Sequence, residues 1–541
     1  MKQLIEFINK YSDAPKGKII FLTIVSGAAY AIILGVINTA AESVSTGSDD
    51  LEVRLFFMFL ITFVLHLYAK KFSMERGILL AEEIIRSIRV GIIGKIRHTE
   101  LRFLEKTGKG LIYARLTEDT EDLSQSAPYI VMAAESVVSL VAVFFYMALQ
   151  SLSGFILVIF LLGLSIFVYT LAYIPAKKKL ELSRVREAEF FEGLNDVLSG
   201  FKEIRINYQK NEELFADLTA VSKDAEQLKA GALVALNSSF IVINAAYFIM
   251  IGGIVFALPA FDVIDNAIVI HLVASLLFLW GPLMIAFRAI PQFMISSVSI
   301  HNIDKLEAEI DSFDVYVPEK RPEPVADFKE IALHSVKFGY AHENGTVLFQ
   351  MGPLDFTLKK GEVVFIVGGN GSGKSTLMHI LTGLYYPDTG GISIDGKRVL
   401  RKTYQPYREL FSTIFTDFHL FKTLYGIGEV DEDKVNRLLR QMELDHKTGY
   451  AGKRFTNIGL STGQKKRIAY ITCLLEDKPV YVFDEWAADQ DPEFRKNFYE
   501  KFLEDMRAMG KTVVAVSHDD RYFNMADRVI KMEMGKIVSL K

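Results

Sequence analysis

Long apolar runs separated by charged, helix-periodic stretches fill the chain from residue 18 to residue 290, and short apolar runs punctuated by glycine replace them further on. Six of the long runs, at 18–41, 53–70, 128–150, 153–175, 233–258 and 264–290, reach the roughly twenty residues that a helix needs to cross a bilayer. The second is the shortest, and His66 interrupts it. From Arg76 through Leu104 apolar residues recur at helical spacing (Leu80, Ile84, Ile88, Ile92, Ile96), and Leu180 through Leu228 behaves similarly. These stretches predict long amphipathic helices that continue out of the membrane; a basic face lying on anionic lipid is the alternative. Beyond residue 330 the period changes. Ile331 to Tyr340 alternates like a strand, while Val363–Val367, Val480–Phe483 and Val513–Val516 are the continuous runs of strands buried on both faces. Between the two regimes Glu307 to Glu330 is acidic and carries Pro318, Pro322 and Pro324, which marks a domain boundary.

Composition agrees with this division. Half of the 541 residues are apolar and the mean hydropathy is +0.23, yet 23% are charged, so the apolar residues must be concentrated in one part. A net charge of −4 points to no nucleic-acid partner. Cys473 is the only cysteine, which excludes an intramolecular disulfide, a Cys-rich metal site and a cysteine peptidase module. The first apolar run has no small-residue cleavage site and further runs follow it, so it reads as a span rather than a cleaved signal peptide.

Loop charge predicts orientation. Lys70, Lys71, Arg76, Arg86, Lys95 and Arg97 follow the second span, and Lys177, Lys178, Lys179, Arg184 and Arg186 follow the fourth. Asp49, Asp50, Glu52, Asp262 and Asp265 cluster after the first and fifth. The positive-inside rule then places both long connections and both termini in the cytoplasm. His66, Glu135, Asn237, Asn244, His271 and Arg288 lie within spans. Ionisable groups there face a cavity or a partner rather than lipid, and Glu135 is the candidate contact for a polar cargo. An interhelical hydrogen bond is the alternative.

The strand-like run Val363–Val367 leads directly into Gly368-Gly369-Asn370-Gly371-Ser372-Gly373-Lys374-Ser375, which fits G-x-x-x-x-G-K-[ST] and opens a helix-like run at Thr376. That is the context of a phosphate-binding loop. Backbone N–H groups of Gly368, Asn370, Gly371, Ser372 and Gly373 can curl around phosphate oxygens, with Thr376 beside them at the helix start. Lys374 can reach the β/γ-phosphates of ATP, and the Ser375 hydroxyl can ligate Mg²⁺. Further on, Val480-Tyr481-Val482-Phe483 ends in Asp484 and Glu485, and Val513–Val516 leads through Ser517 to His518. Asp484 can hold Mg²⁺ through water, Glu485 can polarise the attacking water, and His518 can hydrogen-bond the γ-phosphate. The expected architecture is a multidomain one: an all-α six-helix transmembrane domain (1–305), a linker (306–328) and an α/β P-loop nucleotide-binding domain (329–541).

With Leu460-Ser461-Thr462-Gly463-Gln464 between these motifs, the chain resembles an ABC exporter half-transporter over nearly its whole length. The resemblance implies a homodimer in a bacterial inner membrane, in contact with membrane lipids, with each ATP held between one P-loop and the other chain's signature. Ser461, Gly463 and Gln464 would cap the γ-phosphate. Tyr340 matches the aromatic that stacks on adenine, with Phe338 as second choice, and Asp491 matches the aspartate closing the D-loop. The coupling helices would lie near Gly110 to Asp122 and Phe191 to Glu203. Three departures are specific: Thr462 replaces a glycine, Thr416 replaces the Q-loop glutamine, and Asp484-Glu485-Trp486-Ala487-Ala488-Asp489-Gln490-Asp491-Pro492 replaces D-E-P-T-S-A-L-D. All three resemble the branch exporting cyclic or lasso peptides and peptide-siderophore precursors, the pyoverdine/syringomycin type. Thr416 could reach Mg²⁺, with a shorter arm than glutamine. That resemblance implies export of a peptide-like natural product; a lipid or multidrug exporter and a membrane sensor ATPase are the alternatives.

Overall fold

The computed structural model describes residues 2–12, 16–45, 53–260, 266–313, 325, 327–341 and 346–540. Asp49, Asp50, Glu52, Asp262 and Asp265, and the linker prolines 318, 322 and 324, lie outside the described residues. The chain forms two compact units: Met1–Gly91 with Tyr113–Lys305, and Ile92–Ile112 with Leu306–Lys541.

The helices run α1 (Lys2–Tyr11), α2 (Gly17–Ser45), α3 (Val53–Ile96), α4 (Leu101–Thr107), α5 (Lys109–Ala114), α6 (Thr120–Gln150), α7 (Leu152–Ser199), α8 (Phe201–Ile206), α9 (Tyr208–Gly252), α10 (Leu258–Ala260) and α11 (Asn266–Asp311); α4 and most of α5 belong to the second unit, the others wholly or mainly to the first. Among the described residues six helices are long and apolar enough to cross a bilayer, and each apolar run of the sequence falls on one of them. The amphipathic extensions are continuous with the spans, as the periodicity predicts. Leu34, Met147, Leu162, Tyr169, Tyr247, Leu272 and Leu276 form the core where α2, α6, α7, α9 and α11 meet. Pro128, Pro175, Pro282 and Pro291 sit inside these helices, where neighbouring helices can satisfy the freed carbonyls.

Short helices fall at or beside the expected coupling segments: α5 overlaps Gly110 to Asp122, with α4 just before it, and α8 begins within Phe191 to Glu203 and runs past its end. Gly108, at φ +76°, ends α4, and Gly200 and Asn207 bracket α8. Glu135 makes interhelical contacts. Ser26 Oγ donates to its Oε1 at 2.8 Å and Lys70 Nζ lies 3.4 Å from Oε2, while His66 Nδ1 is 3.0 Å from the Ser26 carbonyl. A carboxylate in a span is cheapest when paired, and the interhelical alternative is what forms.

Among its described residues the second unit carries twelve strands, β1 (Glu330–Ala341), β2 (Val347–Lys359), β3 (Val363–Val367), β4 (Thr389–Ile394), β5 (Lys397–Arg398), β6 (Phe411–Ile414), β7 (Tyr450–Ala451), β8 (Arg454–Phe455), β9 (Val480–Asp484), β10 (Thr512–Val516), β11 (Arg528–Glu533) and β12 (Lys536–Leu540). One sheet has the order β2-β1-β4-β5 and is antiparallel; the other runs β12-β11-β3-β10-β9-β6 and is parallel except at β12. Side-chain alternation along β3 sends Val364 and Ile366 into one core with Leu377 and Val514, and Val363 and Phe365 into another with Ile468 and Phe483. The parallel sheet is thus buried on both faces, which is why its strands read as unbroken apolar runs.

Candidate nucleotide site

Strand register assembles the site. Val516 stands opposite both Ile366 and Asp484, and Ile414 stands opposite Phe483. The carboxyl ends of β3, β10, β9 and β6 are therefore level, and Gly368, His518, Glu485 and Thr416 all follow within two residues of those ends. Ligands bind in open α/β sheets at this edge.

Tyr340, Phe349, Asn370, Gly371, Ser372, Gly373, Lys374, Ser375, Thr376, Thr416 and Glu485 line one cleft there. The loop wraps the start of α12 (Lys374–Leu381). Gly368 has no room for a side chain, since a Cβ would lie 2.3 Å from the Met532 carbonyl oxygen. Lys374 is buried and its ammonium donates to the carbonyls of Gly368 at 2.9 Å and Gly369 at 3.0 Å. Ser372 Oγ is buried with no hydrogen-bond partner, a polar atom that a phosphate oxygen would satisfy. Ser375 Oγ donates to Asp484 Oδ2 at 3.1 Å. Burial raises the Asp484 carboxyl above its ordinary range, and the hydroxyls of Ser375 and Thr416 pull it back. Thr416 Oγ1 also points at the Asp484 carbonyl, at 3.5 Å. A hydroxyl and a carboxylate facing a phosphate cradle suit Mg²⁺, which keeps most of its water and takes few protein ligands.

Glu485 Oε1 lies 3.0 Å from His518 Nε2. Glu485 sits in the left-handed region at φ +51°, a strained conformation for a side-chain-bearing residue. Its carboxylate borders both the nucleotide cleft and an adjoining pocket formed with Ser517, His518, Asp519 and Arg495.

The aromatic wall is settled by packing. Phe338 is fully buried and stacks on Tyr385 at 4.7 Å, so it does not reach the cleft. Tyr340 does, with Phe349 directly across the β1–β2 ladder. Phe349 was not picked out from the sequence; the alternation Val347, Phe349, Met351 opposite Tyr340 was the available clue.

Ser461, Gly463, Gln464 and Asp491 do not line this cleft. Ser461 is the N-cap of the helix Thr462–Glu476, and it and Gln464 form a reciprocal capping box. A Cβ on Gly463 would lie 2.6 Å from the Asp489 carbonyl oxygen, because the D-loop backbone crosses there. Lys466, 1% exposed, donates to the Glu485 carbonyl at 2.7 Å and pairs with Asp489 at 2.7 Å. Trp486 Nε1 donates to the Lys466 carbonyl at 2.9 Å. Gln490 accepts from Arg467 at 2.9 Å and donates to the Gly463 carbonyl at 3.1 Å. The Phe494 amide and Arg467, 2.5 Å away, hold the Asp491 carboxyl below its ordinary range. Trp486, Asp489 and Gln490, the unusual residues of the sequence, thus lock the D-loop to the signature helix.

An ABC transporter transmembrane-region model matches residues 17–285, and an ABC transporter model matches 351–488. The chain is 31% identical to the ATP-binding protein SyrD of Pseudomonas syringae pv. syringae over 540 residues, covering 95% of this chain and 92% of that one. This chain belongs to the ABC exporters. It is a multi-pass membrane protein whose ATP-binding domain hydrolyses ATP to drive transport. The exporter is also 24% identical to an ATP-dependent lipid A-core flippase of Alkalilimnicola ehrlichii, over 84% of this chain and 78% of that one. Its fold matches a bacterial Atm1-family ABC exporter solved with ATP bound, with TM-score 0.78 at 16% identity over 98% of this chain and 96% of that one.

Proposed function

We propose that the exporter moves a peptide-like natural product out of a bacterial cytoplasm, as a homodimer in the inner membrane with both termini and the ATPase domains (329–541 of each chain) cytoplasmic. The near full-length likeness to SyrD carries this reading, and the D-E-W-A-A-D-Q-D-P segment supports it.

At each site Tyr340 stacks on adenine while the loop amides and Lys374 bind the phosphates. Ser375, Asp484 and Thr416 would hold Mg²⁺, whose charge would offset that of the phosphates. Glu485 takes the proton of the attacking water, and His518, already hydrogen-bonded to Glu485, orients the terminal phosphate. Ser461, Gly463 and Gln464 of the partner chain close the site, and Asp491 keeps the D-loop against its own signature helix.

The flippase relative favours a second reading, lipid export. Basal ATPase of the exporter in nanodiscs should rise with cyclic, lasso or siderophore-type peptides and not with added lipid A-core. The reverse pattern establishes the lipid reading.

A further inference from the structure

Helix α4 stands on the strand that carries Tyr340. Arg102 lies over the Phe338 ring at 4.8 Å, donates to the Gly339 carbonyl at 3.2 Å and pairs with Asp388 at 3.3 Å. Asp388 in turn accepts from the Gly339 amide at 2.8 Å. One turn along the helix, the two Glu105 oxygens lie 2.6 and 2.7 Å from the Tyr385 hydroxyl, which donates to them. The Tyr385 oxygen accepts from the Tyr340 hydroxyl at 3.1 Å. Each hydroxyl proton is committed in one direction, from the wall of the cleft to the α4 carboxylate.

The middle member has little freedom to move. Tyr385 is 1% exposed, stacked parallel on Phe338 and met edge-on by His379 at 4.9 Å. Burial and the Glu105 carboxylate push its hydroxyl far above the ordinary range, so it stays a donor. Hydrogen bonds to a charged acceptor are the stronger kind, which makes Glu105 the anchor of the chain.

We propose that Glu105 is a positioning residue for the nucleobase platform: through Tyr385 it fixes the ring of Tyr340, so the grip on ATP depends on where α4 stands. Glu105 touches no nucleotide; it acts at second hand. Since α4 follows α3 after only four residues, the grip is set by the first helix formed after the chain leaves its second apolar run. The inference rests on Tyr340 being the adenine platform.

The full-length exporter in nanodiscs tests it by equilibrium binding of a fluorescent mant-ATP and by the ATP dependence of hydrolysis. Tyr385→Phe and Glu105→Ala should each weaken mant-ATP binding and raise KM by about 2- to 10-fold, the worth of one hydrogen bond, with the change falling on KM rather than kcat. The double variant should be no worse than the worse single one, because both break one chain. Glu105→Gln keeps an acceptor oxygen and should recover part of the loss. Tyr340→Ala separates the two readings. If it weakens binding while Tyr385→Phe and Glu105→Ala bind like wild type, the relay is wrong and the platform stands. If it too binds like wild type, both are wrong. A fall in kcat or melting temperature at unchanged KM would make the contact structural and overturn the proposal.

Discussion

Lys466 Nζ and Asp489 Oδ2 lie 2.7 Å apart, and the same ammonium holds the backbone carbonyl of Glu485. A residue two positions beyond the signature motif therefore grips the peptide that presents Glu485, the proposed general base. Lys466→Met keeps the length of the buried stem but leaves that carbonyl and the Asp489 carboxylate without the ammonium. The ATPase unit should lose about 1–3 kcal/mol, seen as a lower melting temperature, and hydrolysis should fall with it. Asp489→Asn should cost less, because that carboxylate is half exposed. Equal melting temperatures for Lys466→Met and wild type would show that the lock carries no load.

Glu485→Gln retains shape and hydrogen-bonding reach but not basicity. ATP should still bind, and hydrolysis should fall roughly 10²–10⁴-fold. Lys374→Ala should instead weaken ATP binding itself, since its ammonium is the cation inside the loop. Wild-type turnover by Glu485→Gln would reassign the base.

The apolar pattern revealed the six spans and the buried strands because one-dimensional periodicity suffices for an element that buries all or one side of itself. The loop Gly368–Ser375 and the Asp484-Glu485 pair were legible because their chemistry is local in sequence. Phe349, Tyr385 and Glu105 were not, since each matters through a contact the sequence does not display: Phe349 through the strand register that sets it opposite Tyr340, and Glu105 through a tyrosine 280 residues on. The contacts of Glu135 were hidden for the same reason. Its partners Ser26 and Lys70 lie on two other helices, and an intramembrane carboxylate looks the same in sequence whether it meets cargo or a lysine.

One chain supplies one loop and one signature, and the signature does not border its own cleft. Two chains should therefore build two equivalent sites. When Lys374→Ala and Ser461→Arg subunits, each inactive alone, are mixed, ATPase should reappear, because a mixed dimer pairs one unaltered loop with one unaltered signature. No recovery in the mixed dimers would count against shared sites.

Cys473 is buried, and burial pushes its thiol up to about 12. With so little thiolate at neutral pH, maleimide should leave the folded exporter almost unlabelled and label one thiol per chain after denaturation in detergent. Rapid labelling of the folded protein would contradict the packing of the signature helix.

Helix α7 runs unbroken for 48 residues, about 72 Å at 1.5 Å per residue, against about 30 Å of hydrocarbon. Its apolar run ends at Tyr173–Pro175, so the twenty-four residues from Ala176 to Ser199 form an arm of about 36 Å beyond it. A stiff rod anchored at one end works as a lever. A tilt of about 5° at the membrane, within the range of ordinary helix tilts, displaces the far tip by about 3 Å. That is the size of a hydrogen bond made or broken, so a cargo that only nudges the spans can be read at the tip as a discrete change of contact.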